Sequence, residues 1–133
     1  MRGLPESPLR VLVVDDNTDT AESLAFLLQM SGHDTRVAHT GTDAIAEAKN
    51  FHPTAVLLDV GLPDMSGYEV AQRLRAHLEF RHTILIAATG YNRDSDRARA
   101  FEVGFDHYLV KPFDPNCLDK LIQPRTVPLA IPA

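Results

Sequence analysis

The sequence predicts an α/β fold in which a parallel sheet of five short strands carries helices on both faces. Three observations lead there. Short apolar runs alternate five times with segments of helical periodicity. The runs "LRVLVV", "TAVLLD" and "TILIAAT" are apolar almost throughout, as strands covered on both faces must be. Alternation of strand and helix implies parallel strands joined by right-handed crossovers.

Each element has its own signal. Leu9–Val14 reads as a strand buried on both faces. The helix after it keeps Ala21, Leu24, Ala25 and Leu28 at i, i+3, i+4, i+7, and Gly32 stops it. Asp34–Ala38 alternates like a strand with one wetter side. Gly41–Asn50 is a short helix ending ahead of Pro53. Thr54–Asp59 is a second apolar strand, again finishing in an acid. Ser66 and Glu69 form a capping box for a helix whose inner face is Val70, Ala71, Leu74 and Leu78. Thr83–Thr89 is the most apolar strand. A polar helix runs from about Asp94 to Val103, with Gly104 as its stop, and Asp106–Val110 is the last strand. Asp114 caps a final helix with Pro115 at its first position and Leu118, Leu121 and Ile122 turned inward.

A chain of 133 residues supports one domain with one sizeable core. Residues 9–123 are expected to form it, after a flexible segment 1–8 and before a Pro-containing tail 124–133. The net charge of −5 argues against a general nucleic-acid-binding surface. Met1–Pro8 lacks the apolar stretch of a signal peptide, and no run is long enough to span a bilayer. The single cysteine, Cys117, excludes an internal disulfide, and the expected address is the cytoplasm. Cys117, Phe101, Phe105 and Phe113 are expected to pack. Arg93, Arg97 and Arg99 are read first as a solvated face and second as a partner surface.

In open parallel α/β sheets, ligands bind beyond the carboxyl ends of the strands, where the strand order reverses. At those ends this chain places Asp15 and Asp16, Asp59, Thr89, and Lys111 followed by Pro112. Crowded carboxylates raise one another's pKa unless a cation relieves them. Oxygen-only donors suit Mg²⁺ before Zn²⁺, and none of the six histidines pairs at a zinc-site spacing. With the metal bound, Asp59 can present an oxygen as nucleophile. Lys111 and Thr89 can then receive the oxygens of a phosphoryl group. Taken singly, each acid is a cap or turn former. Their joint placement at the same end of different strands favours phosphoryl transfer.

The blocks "VLVVDDN", "AVLLDVGLPDMSGYEVA", "IAATGY" and "YLVKPF" occur in the order and spacing of a known family. The chain resembles the receiver domain of two-component response regulators over about Leu9–Gln123, and its "TGY" and "GLPDMSGYE" blocks look most like receivers associated with hybrid sensor kinases. The resemblance implies a flavodoxin-like (βα)5 three-layer sandwich with strand order 2-1-3-4-5. It implies Asp59 as phosphoacceptor, with Mg²⁺ (or Mn²⁺) held by Asp16, by Asp15 largely through water, by Asp59 and by the backbone carbonyl of Gly61. It implies Lys111 and Thr89 as phosphoryl-binding groups, a cis peptide between Lys111 and Pro112, and Thr89 with Tyr108 as the switch pair. Gly61 and Tyr91 flank the path of the attacking water in that family.

The implied partner is a sensor histidine kinase or a His-phosphotransfer protein. A weak homodimer through the fourth helix, fifth strand and fifth helix is also implied. Such a domain catalyses its own phosphorylation and is not a turnover enzyme. Other readings stay open. A small Mg²⁺-dependent phosphatase with an aspartyl nucleophile would turn over small esters, but its usual second acid is replaced here by Asn17. A phosphate-independent receiver-like module would normally lack one of the five key residues. A nucleotide- or flavin-binding domain would need a Gly-rich loop after the first strand, which this sequence lacks.

Overall fold

The computed structural model describes residues 8–90 and 93–124. Ten elements alternate along it: β1 (Arg10–Val14), α1 (Thr18–Met30), β2 (Asp34–Ala38), α2 (Gly41–Phe51), β3 (Ala55–Asp59), α3 (Gly67–Arg75), β4 (Ile84–Thr89), α4 (Asp94–Val103), β5 (His107–Val110) and α5 (Leu118–Leu121). The strands form one sheet of order β2-β1-β3-β4-β5, parallel throughout. This is the flavodoxin-like topology that the resemblance implies. The chain leaves β1 toward β2 on one side and returns to β3 on the other. The carboxyl ends of β1 and β3 therefore lie side by side at the switch point.

Alternate strand residues build two cores, because successive side chains point to opposite faces. Leu12, Val14, Val56, Leu58, Leu85 and Ala87 pack against α2, α3 and α4. Val11, Val13, Leu57, Ile84 and Ile86 pack under α1 and the short α5. Each large aliphatic chain buried this way stabilises the fold by roughly 1.5–3 kcal/mol. Helix starts follow local chemistry. The side chains of Asn17, Thr40 and Ser66 each accept a backbone N–H of the first turn of α1, α2 and α3 respectively. Gly104 ends α4 with φ 115°, a left-handed conformation that favours glycine.

Four expectations need correction. Leu78 does not face inward. α3 ends at Arg75 and a 3₁₀ turn over Leu78–Phe80 re-aims the chain, so Phe80 is buried and Leu78 is 77% exposed. The last helix is a single turn: Asp114 caps a 3₁₀ turn over Pro115–Cys117, and α5 stops at Leu121, three residues before Pro124. Leu118 and Ile122 are buried as expected, while Leu121 is only partly so. Phe101 is exposed, unlike the buried Phe105. Cys117 is half-buried, and burial pushes its thiol pKa up.

Candidate functional site

β1 ends at Val14, and the next two residues carry the acids. Asp15 is only 4% exposed; its backbone N–H donates to Ala38 O (3.1 Å), and its Oδ1 accepts the N–H of Asn17 (2.9 Å). Asp16 is exposed. β3 supplies Asp59 as its last residue, 8% exposed and in register with Ala88 of β4. One carboxylate oxygen from each of Asp15, Asp16 and Asp59 lies within 4.8 Å of the others. Three hard oxygen donors at that separation fit a small divalent cation such as Mg²⁺, and no nitrogen or sulfur ligand joins the cluster among the described residues.

Lys111 closes the site from the far side. Its Nζ stands 3.2 Å from Asp15 Oδ2 and 3.3 Å from Asp59 Oδ2. The backbone aims it there: Lys111 N–H donates to Thr89 O (2.8 Å), continuing the β4–β5 ladder, and the Lys111–Pro112 peptide is cis. Burial opposes the lysine's charge, but Asp59 and Asp15 outweigh it and hold the ammonium above its ordinary pKa. Burial also raises the carboxyl of Asp59; the Gly61 N–H, which donates to Oδ1 (3.0 Å), and the Lys111 ammonium pull the other way.

The remaining predicted residues fall around this centre. Thr89 is buried at the end of β4, opposite Val110. Gly61 is exposed, and a Cβ there would lie 3.9 Å from Asp59 Oδ1, an ordinary van der Waals contact. Tyr108 is buried on β5 in the core shared with α3 and α4. Tyr91 lies outside the described residues. Leu24, Leu27, Leu57 and Phe113 line an apolar groove of about 440 Å³ that opens onto Asp59 and Lys111. Phe26 and Met30 of α1 are exposed large apolar residues.

Several further residues brace the surroundings of the site. Asp64 accepts the N–H groups of Gly41 (2.7 Å) and Thr42 (2.9 Å) and the Thr42 hydroxyl (2.7 Å), which ties the loop after β3 to the start of α2. Those bonds lower its carboxyl to about 2. Gly67 sits where α3 begins against the end of β3; a Cβ there would come within 2.7 Å of both Asp59 O and Val60 Cα. Arg97 lies over the Tyr108 ring (4.9 Å) and Arg99 over the Tyr68 ring (4.7 Å). These two arginines are therefore more than a solvated face.

Comparison with known proteins agrees with this architecture. The profile of the response regulator receiver domain matches residues 11–123, and the chain belongs to that family. Family members are phosphoacceptor domains of two-component systems, bind Mg²⁺ at an acidic pocket and interact with histidine kinases. The chain is 37% identical over 113 residues to a protein from Leptolyngbya boryana described as an uncharacterized 14.6 kDa protein in the sodA1 3′ region, covering 85% of this chain and 86% of that one. It is 38% identical over 116 residues to the DNA-binding response regulator MtrA of Mycolicibacterium paratuberculosis, covering 87% of this chain but only 50% of MtrA.

Among solved structures, it is similar to the chemotaxis response regulator CheY4 of Vibrio cholerae. That match has a TM-score of 0.81 at 28% identity and covers 86% and 95% of the two chains. It is also similar to the receiver domain of sensor histidine kinase PA1611 from Pseudomonas aeruginosa, which carries a magnesium ion in its active-site cleft. There the TM-score is 0.79 at 27% identity, with 88% and 96% covered. Among the described residues, no helix is long and apolar enough to cross a membrane.

Proposed function

We propose that Asp59 accepts a phosphoryl group from the phosphohistidine of a partner kinase or phosphotransfer protein, in a Mg²⁺-dependent step, and that the chain acts as a cytoplasmic signalling switch. The observation that carries this is the position of Lys111 Nζ, within 3.3 Å of both Asp15 and Asp59 at the switch point of the sheet. A cation held between two strand-end acids leaves one face of Asp59 open to an incoming group and places positive charge where that group's oxygens arrive.

Asp15, Asp16, Asp59 and the carbonyl of Gly61 are the residues that would hold the metal. Bound Mg²⁺ supplies charge neutralisation for the acids and for the phosphoryl oxygens. An Asp59 oxygen forms the new P–O bond as the P–N bond of the donor breaks, and the imidazole leaves with its electron pair. Lys111 gathers the added negative charge. Thr89, one strand over, turns its hydroxyl toward the phosphoryl group, and Tyr108 follows on β5. The apolar groove beside Asp59 gives the donor's side chains a surface to rest on.

α4 is suited to respond. Ala100 is its one buried residue, and Arg97 and Arg99 hold it through the Tyr108 and Tyr68 rings. An element packed this lightly moves at low free-energy cost. The face formed by α4, β5 and α5 is where the output, including a weak homodimer, would be read.

The test is labelling with acetyl phosphate and Mg²⁺, followed by intact-protein mass spectrometry. One phosphoryl group per chain is expected, none on Asp59→Asn and none after chelation. Undiminished label on Asp59→Asn would refute the assignment. Multiple turnover of a small phosphate ester would instead favour a phosphatase.

A further inference from the structure

We infer that His39 is a positioning residue for the acidic pair, holding the Asp15–Asp16 peptide in the orientation that presents Asp16 to a divalent cation. The inference rests on the metal-binding reading above and deepens it. β1 and β2 are in register to their last pair, Val14 with Ala38. One more backbone bond follows, from Asp15 N–H to Ala38 O (3.1 Å). The carbonyl of Asp15 is then met by a side chain: His39 Nδ1 lies 2.9 Å from it.

A carbonyl oxygen only accepts, so Nδ1 must carry the proton and donate. The peptide unit is planar, so fixing the Asp15 C=O also fixes the N–H and Cα of Asp16. Asp16 needs such help. It is exposed, and its position at the site depends on the backbone that carries it. Asp15, by contrast, is buried and braced by Asn17 and Lys111.

The anchor for His39 is itself well fixed. Thr40, the next residue, caps α2 by accepting the N–H of Asp43 (3.0 Å). Asp64, from the loop after β3, clamps Gly41 and Thr42. The corner between β2 and α2 thus reaches both loops that supply the acidic cluster: through His39 to Asp15 and Asp16, and through Asp64 to the loop after Asp59. A one-rung side-chain extension of the β1–β2 ladder turns an edge strand into part of the site's frame.

The experiment has two arms on the intact chain. A long-range ¹H–¹⁵N correlation spectrum of the metal-free protein reads the His39 tautomer directly. The Nδ1–H form is expected, and an Nε2–H form would overturn the inference whether or not the chain binds metal. The second arm is calorimetric titration with MgCl₂. Asparagine keeps a donor at nearly the Nδ1 position, so His39→Asn should stay within about twofold of the unaltered chain. His39→Leu, with no donor, should bind about tenfold more weakly, a loss of about 1.4 kcal/mol. Thermal melting of both variants separates this from general destabilisation. Equal Mg²⁺ affinity in the Leu variant and the unaltered chain would overturn the inference. Failure of the unaltered chain itself to bind Mg²⁺ would overturn the reading of the site and the inference with it.

Discussion

The Nζ of Lys111 stands 3.3 Å from Oδ2 of Asp59, although Lys111 follows β5 and Asp59 ends β3. β4 lies between those strands in the sheet, and the lysine reaches past Thr89 to make the contact. In this position Lys111 is the built-in cation of an acidic nest, and it competes with any cation that enters.

Replacing Lys111 by Met therefore has two opposite effects. Without metal, Asp15 and Asp59 lose their counter-charge. The expected destabilisation is about 1–2 kcal/mol, below that of a fully buried pair because the lysine side chain is 34% exposed. Mg²⁺ affinity should rise about tenfold, since the competing charge is gone. Urea unfolding in chelator and calorimetric titration with MgCl₂ check the two halves separately.

Asp59 itself carries a pH signature. Burial holds its folded-state carboxyl above 3.8. A raised acid favours the folded state fully below its unfolded pKa, and this advantage is lost as pH rises through the folded value. At neutral pH the metal-free chain thus carries a penalty that Asp59→Asn removes. The variant should melt at a higher temperature than the unaltered chain at neutral pH in chelator, and the gain should fade toward about pH 4. Mg²⁺ at a hundredfold excess over its Kd should stabilise the unaltered chain by about 2.7 kcal/mol and the variant by much less. A melting series across pH, with and without metal, decides both points.

Gly67 is predicted to tolerate no Cβ. The atoms in the way, Asp59 O and Val60 Cα at 2.7 Å, are backbone and cannot swing aside. Gly67→Ala should cost about 1–3 kcal/mol in equilibrium unfolding and weaken Mg²⁺ binding, because the end of β3 must shift. Gly90→Ala is the control: a Cβ there meets nothing within 4 Å among the described residues, and stability should hold.

Arg75, at the end of α3, ties that helix to the segments that lead into β4 and β5. Its guanidinium donates to the carbonyls of Phe80 (2.8 Å), Thr83 (2.8 Å) and Gly104 (2.8 Å), and to Asp106 Oδ2 (2.9 Å), which also accepts the N–H of Leu85 (2.9 Å). Arg75→Met should destabilise the chain by about 3 kcal/mol in urea, by removing the donor that these carbonyls share and the counter-charge of a partly buried carboxylate. Arg75→Lys should not restore it, since an ammonium lacks the planar fork that serves four acceptors at once.

Most of the fold was legible in the sequence. The alternation of β-branched apolar runs with helical spacing reflects short-range physics, and β2 and α4 match their expected bounds to the residue. Local rules failed where packing chose between equal local options. Leu78 kept helical spacing, but the chain turned after Arg75 and buried Phe80 instead. Asp114 and Pro115 signal a helix start and open a 3₁₀ turn here, leaving α5 one turn long. Asp106 reads only as the first residue of the last strand, yet its side chain braces β4 against Arg75.

The sequence by itself determined which residue types stand at the carboxyl ends of the strands, because strand boundaries and acids are both local properties of the chain. Only the tertiary structure decided which of them meet. Strand order, crossover and register bring the oxygens of Asp15, Asp16 and Asp59 to within 4.8 Å of one another, and the same packing sets His39 against the carbonyl of Asp15. Contacts between residues far apart in the chain are fixed by how whole elements bury their apolar faces, and no window of sequence contains that information.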